Sequence, residues 1–284
     1  MGSLGIIAGS GQLPFVAAAE ARRQGLRVVV VALREEADPS LAEHVDALHW
    51  VQVGHLGAVV RALKQEGVSE VVLLGKVEIR RLFSRGLPDL MGAKLLLKAK
   101  DLRGDSILEA LVEALDGEGI RVLETPRFLG SVLLPVGQLT RRGPTAKERR
   151  DIGLGREIAR QIASLRIGQT VVLKHGTVLA VESVEGTDAA IRRGGELGQG
   201  GVVVVKVSRP DQDLRFDLPT LGPQTLEALR DASATALALD AGRSLLLERE
   251  RFVAGADAQD LAVVADSPGA GTERPVNAPD DLPR

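Results

Sequence analysis

The chain has 284 residues, room for one large or two ordinary domains, and a 44% hydrophobic share that can fill a real core. Aromatic residues make up only 2%, with no tyrosine, which argues against the stacking platforms of single-strand nucleic-acid binding; a formal net charge of −2 offers no global field to attract DNA, RNA or an anionic membrane. The lack of cysteine excludes disulfides, thiolate nucleophiles and zinc–thiolate sites.

In chain order, "LGIIA" (4–8) predicts a short buried strand followed by the glycine turn Gly9, Gly11. Alanine content and spacing predict a helix over 13–25, ending at Gly25. Strands follow at 26–33, 47–53 and 70–77, with a helix from Leu56 to Glu66 before Gly67. Apolar strands alternating with helices imply parallel βαβ units. Residues 88–117 read as two helices broken around Gly104, then a strand at 120–124. Residues 125–145 mix prolines, glycines and apolar residues, so domains are expected at 1–130 and 146–265, joined by a linker over 131–145. The second half opens on a helix over 146–165 and continues with a hairpin over 169–183 turning at His175-Gly176. A helix after Glu185-Gly186, a strand at 201–207 and two strands within 236–249 complete it, and 266–284 has the composition of a flexible tail. The N-terminus lacks a signal peptide's basic region and no apolar run approaches a membrane span, so a soluble cytoplasmic α/β protein is expected.

Four stretches can carry chemistry. "GSGQLP" (9–14) joins a strand to a helix, where backbone N–H groups can hold phosphate; Pro14 replaces the third glycine of the dinucleotide fingerprint, so a plain tight turn is an equal reading. "GKVEIRR" (75–81) ends a strand, and Lys76 or Arg80 there could meet a phosphate or form a solvated basic face. "AVESVEGTDAAIRRGG" (180–195) holds Glu182, Glu185, Thr187 and Asp188 within seven positions; helix capping explains Thr187 and Asp188 but not the two glutamates. "KVSRPDQDLRFDLPTLG" (206–222) crowds Asp211, Asp213 and Asp217 with Lys206, Arg209 and Arg215 into a proline-stiffened loop after a buried-looking strand. Carboxylates without cysteine favour a hard, oxygen-ligated cation such as Mg²⁺, and the bases could neutralise phosphate oxygens. An ion-paired surface loop is the competing explanation. The four histidines have no metal spacing, and no G-x-S-x-G elbow supports a serine hydrolase.

Taken together, "GIIAGSGQLP", "GDSILEAL" (104–111), "DIGLGREIA" (151–159), "TVVLKHGTVLAVESVEGTDAAIRR" (170–193) and "KVSRPDQDLRFDLPTLGPQT" (206–225) resemble the LpxI-type UDP-2,3-diacylglucosamine pyrophosphatases over about residues 4–255. The resemblance implies an α/β protein with an N-terminal Rossmann-like parallel-sheet domain and a distinct C-terminal α/β domain. It implies cytoplasmic, Mg²⁺-dependent hydrolysis of UDP-2,3-diacylglucosamine to UMP and 2,3-diacylglucosamine 1-phosphate (lipid X) in lipid A biosynthesis. Expected catalytic residues are Asp217, Asp213, Asp188 and Glu185, with Asp213, Asp217 and Glu182 as metal ligands. Expected substrate contacts are Gly9, Gly11, Gln12, Lys76, Thr187, Gln212, Arg215 and Thr225. A diacyl substrate suggests peripheral contact with the inner membrane, although no amphipathic basic helix stands out; a homodimer is also expected. Two other readings stand beside this one: a nucleotide-binding oxidoreductase built on the N-terminal turn, and a non-catalytic nucleotide-sugar binding module.

Overall fold

The computed structural model describes residues 2–78, 87–99, 104–209, 211–216 and 218–268. The chain divides into two compact units, Met1–Ser131 with Asp213–Asp217, and Val132–Gln212 with Leu218–Arg284. Most of the predicted tail, together with Arg80 and Asp217, lies outside the described residues.

The first unit is built on β1 (Ser3–Ala8), β2 (Arg27–Leu33), β3 (Ala47–Val51), β4 (Glu70–Leu74) and β5 (Arg121–Val122). They form one sheet in the order β3-β2-β1-β4-β5, every pair parallel. The run Val28–Ala32 is wholly buried, as expected of a strand covered on both faces by crossover helices. Helix α1 (Leu13–Arg23) approaches closely because Ala17, Ala18 and Ala21 form its buried face. Helix α2 (Leu56–Gln65) buries Leu56, Val59, Val60 and Leu63, spaced three and four apart. Helices α3 (Leu90–Lys98) and α4 (Gly104–Gly117) share the core of α2, and the expected break between them falls at Gly104, where α4 begins. Phe216, from the short returning segment, packs against this same core.

The second unit contains β6 (Gly137–Gln138), α5 (Ala146–Ser164), β7 (Thr170–Lys174), β8 (Thr177–Val181), α6 (Thr187–Gly198) and β9 (Val202–Lys206). It continues with β10 (Thr220–Leu221), α7 (Pro223–Asp231), β11 (Ala234–Asp240), β12 (Leu245–Leu246), α8 (Arg249–Ala258) and β13 (Ala262–Asp266). Its sheet runs β6-β13-β11-β9-β7-β8, parallel across β13, β11 and β9 and antiparallel at both edges. The start of α5 is fixed by a reciprocal capping box between Thr145 and Glu148. The predicted hairpin turns at His175-Gly176, both at positive φ, and the Asp151 carboxylate accepts both of their N–H groups at 2.9 and 2.7 Å.

Several expectations differ from the fold. Residues 131–145, read as a linker, include β6, which adds an edge strand to the second sheet. "SLLLER" gives only the two-residue strand β12, paired with β10, before α8 begins. Helices α7 and α8 and strand β13 were not anticipated.

Candidate functional site

The turn after β1 is held against the end of β4. Gly9 N–H donates to Leu74 O (2.8 Å), Ser10 N–H to Lys76 O (2.8 Å), and Lys76 N–H returns a bond to Ser10 O (3.0 Å). A Cβ on Gly9 would sit 2.4 Å from the Lys76 carbonyl oxygen, so only glycine permits this approach. Two of the N–H groups that a pyrophosphate cradle would use are therefore spent within the protein. Gly11 faces open space, Gln12 is the exposed N-cap residue of α1, and Lys76 is exposed. The buried Glu36 accepts the N–H of Glu78 (3.0 Å), which engages the acidic residue that a dinucleotide-binding reading would assign to a ribose.

Behind this turn, still in the first unit, lies an apolar cavity of about 250 Å³. Its wall includes Ile7 and Leu33 from the strand ends, Val59 from α2, Leu95 from α3, and Leu108 and Leu111 from α4. The first unit also receives Asp213 and Arg215. Their side chains form a bidentate pair, Arg215 Nε and Nη2 lying 2.9 and 2.6 Å from the two carboxylate oxygens. That guanidinium, helped by the Arg215 N–H, holds the Asp213 carboxyl below its ordinary range against the opposing effect of burial.

In the second unit the carboxyl ends of the parallel strands are lined with charge: Lys206 closes β9, Asp240 closes β11 and Asp266 closes β13. Arg156, 2% exposed, spans Asp240 (2.8 Å) and Asp266 (2.9 Å). On the opposite face of the sheet Lys206, 5% exposed, donates to Thr187 Oγ1 at 2.7 Å. The Thr187 hydroxyl donates in turn to Glu182 Oε1 at 2.7 Å, and the second Glu182 oxygen lies 3.9 Å from the ammonium. Gln169 N–H also reaches that oxygen, at 3.3 Å. Gln169 Oε1 and Thr170 Oγ1, close to this group in the sheet, and Gln212 Nε2 are buried polar atoms without a protein partner among the described residues. Buried polar atoms are nearly always paired, so these are groups a polar ligand could satisfy.

The predicted carboxylate group separates. Thr187 does not cap α6: Gly186 is the N-cap, no side-chain cap bond forms, and the hydroxyl serves Glu182 instead. Glu185 turns away to Arg193 (2.6 Å), and its own backbone N–H together with that guanidinium keeps its carboxyl below the ordinary range. Asp188 stands half-buried in the first turn of α6, and Thr225 is buried in α7. Gln212 accepts the Arg209 N–H at 2.9 Å. Asp211, outside the predicted set, pairs with Arg166 at 2.5 Å. Among the described residues no group of three or more His, Asp or Glu side chains is placed to hold a metal ion. With Asp213 committed to Arg215 and Glu182 to Thr187, the described residues do not by themselves compose a Mg²⁺ site. Among them, too, no helix is long and apolar enough to cross a membrane.

These features define an α/β protein of two sheet-based units, a Rossmann-like all-parallel one with an apolar cavity and a mixed one with a buried, charge-rich strand end. The family model of the LpxI N-terminal domain matches residues 3–132 and that of the LpxI C-terminal domain matches residues 135–264. The chain belongs to the LpxI family. It is similar to "UDP-2,3-diacylglucosamine pyrophosphatase LpxI" of Caulobacter vibrioides, 35% identical over 287 aligned positions covering 97% of this chain and 100% of that one. Among solved structures it is similar to CobK precorrin-6A reductase at 16% identity and a TM-score of 0.32, over 94% of this chain and 89% of that one. A biotin carboxylase complex from Campylobacter jejuni aligns at 14% identity and a TM-score of 0.27, over 69% of this chain and 42% of that one.

Proposed function

We propose that this chain hydrolyses the pyrophosphate bond of UDP-2,3-diacylglucosamine, yielding UMP and 2,3-diacylglucosamine 1-phosphate for lipid A biosynthesis. The observation that carries the reading is the end-to-end match to the Caulobacter relative, whose name states that activity. Two structural features support it. The apolar cavity of about 250 Å³ suits hydrocarbon, and the Lys206–Thr187–Glu182 group suits phosphate.

Breaking a pyrophosphate requires neutralised charge on the transferring phosphoryl oxygens and a water held in line. Lys206, buried and fixed by Thr187, supplies positive charge at a strand end where ligands of parallel sheets bind. Glu182 orients that pair, and Gln212 Nε2 is a buried donor ready for an oxygen. Asp217 is the carboxylate assigned to orient or deprotonate the water. Mg²⁺ dependence is part of the proposal on the oxygen-ligand chemistry expected of the sequence, whose Asp217 lies outside the described residues, and its test is loss of activity in EDTA and recovery on adding Mg²⁺. The setting is cytoplasmic, peripheral to the inner membrane, and the assembly a homodimer, which light scattering would check.

Against the oxidoreductase reading, the Gly9 and Ser10 N–H groups of the glycine turn are already bonded to Leu74 O and Lys76 O. A non-catalytic binding module is separated by Asp217→Asn. As an enzyme, the variant binds UDP-2,3-diacylglucosamine with nearly unchanged affinity but turns it over at least ~100-fold more slowly. Turnover at the wild-type rate would remove Asp217 from the mechanism, and binding without turnover by the wild type would establish the module instead.

A further inference from the structure

We propose that α3 is a lipid-docking helix that seats the first unit on an anionic bilayer, with the apolar cavity directly behind the contact. The proposal rests on the lipid-substrate reading above and gives that substrate a route from membrane to protein.

The helix has two different apolar faces. Its inner face contributes Gly92, Leu95 and Leu96 to the cavity wall. Its outer face carries Leu90 at 75% exposure and Leu97 at 86%, seven positions and two turns apart, with Leu87 at 89% just before the helix. Single exposed leucines are ordinary, but three on one short helix and its approach form a patch, and patches mark interaction sites. Lys94 is exposed on that same face, one turn from both Leu90 and Leu97, and Lys98 is exposed on its flank next to Leu97.

The face is also held in place. Asp89 caps the helix through the Gly92 N–H and accepts the Gly57 N–H of α2, both at 2.8 Å. At Gly92 a Cβ would fall 1.9 Å from Gly54 O, so the first turn is pressed against the loop before α2. The leucines are therefore presented on a fixed support, without the ordering cost of a loose segment.

The chemistry that this face recognises is an acyl boundary beneath an anionic phosphate layer: leucines enter the former and lysines meet the latter. A second copy of this chain would present the same lysines and repel them. The cavity behind the helix further favours lipid, because hydrocarbon leaving a bilayer at α3 would reach an apolar wall immediately.

The test is sedimentation of the full chain with vesicles of phosphatidylcholine and phosphatidylglycerol in equal parts, against phosphatidylcholine alone. Binding to the mixed vesicles is expected to weaken with salt. Leu90→Ser/Leu97→Ser should weaken it at least ~10-fold, and Lys94→Glu/Lys98→Glu ~25-fold or more. All four positions avoid the core, so circular dichroism and turnover of detergent-dispersed substrate should match wild type. Absence of wild-type binding to mixed vesicles, or variants that bind as well as wild type, would overturn the proposal. So would loss of self-association in the leucine variant with vesicle binding intact, which would make the face a dimer contact. Docking that follows these variants while detergent-dispersed UDP-2,3-diacylglucosamine stays intact would support the docking helix and defeat the proposed activity separately.

Discussion

Replacing Lys206 with methionine removes a buried cation while keeping much of its stem volume. The ammonium lies 3.9 Å from Glu182, and at an effective dielectric of about 20 that separation corresponds to ~4 kcal/mol of attraction. Glu182, 8% exposed, would keep the Thr187 hydroxyl and the Gln169 N–H as donors. The net loss of stability should therefore lie near the low end for a broken buried pair, about 3 kcal/mol. Adding Glu182→Gln removes the stranded charge and should return ~2 kcal/mol of it. Urea unfolding of the wild type, both single variants and the double variant measures this cycle. Activity should behave differently. If Lys206 neutralises phosphoryl oxygens, turnover falls ~100- to 1000-fold in Lys206→Met and stays low in the double variant. Recovery of turnover along with stability, or a single variant within about threefold of wild type, would show that the pair is only structural.

Gly9→Ala should push the turn off β4, since its Cβ would approach Lys76 O to 2.4 Å; a loss of about 2–3 kcal/mol in urea unfolding is expected. Arg156→Met strands the buried Asp240 and should cost ~3–5 kcal/mol, measured the same way. Glu148 sets an acid limit on stability. Burial pushes its carboxyl up, but bonds from Arg142, the Thr145 backbone and the hydroxyls of Thr235 and Thr145 outweigh this and lower it from 4.5 to about 2. Because the folded value is the lower one, the contribution is full above pH ~4.5 and disappears as pH falls toward ~2. The shift alone corresponds to ~3 kcal/mol, and solvent screening at this partly open site reduces that to ~1–2 kcal/mol. Glu148→Gln should flatten the stability profile across that window.

The parallel sheets were legible because Val28–Ala32 and Val202–Val205 are continuous aliphatic runs, which only doubly covered strands need. The His175-Gly176 hairpin was legible because its turn residues match its backbone. Helix α8 left little trace, since only Phe252 and Ala256 of its ten residues are buried and two positions make a weak stripe. The site was harder to read. Thr187 looked like a cap because capping is local chemistry; its actual partners, Glu182 and Lys206, meet through sheet pairing that spacing does not reveal. Glu182 and Glu185 stand three apart, but beyond the end of β8 no regular face holds them together, and Arg193 takes Glu185 elsewhere. The leucine run at 95–97 concealed the two faces of α3, because Leu95 points into the core while Leu97 points out. Net charge concealed it as well: −2 for the whole chain says nothing about two lysines on one helix.

The most direct test of the central claim is to incubate the purified chain and Mg²⁺ with UDP-2,3-diacylglucosamine and identify the products by mass spectrometry. The account predicts UMP and 2,3-diacylglucosamine 1-phosphate in equal amounts. Intact substrate after incubation, with the protein folded and metal present, would contradict it.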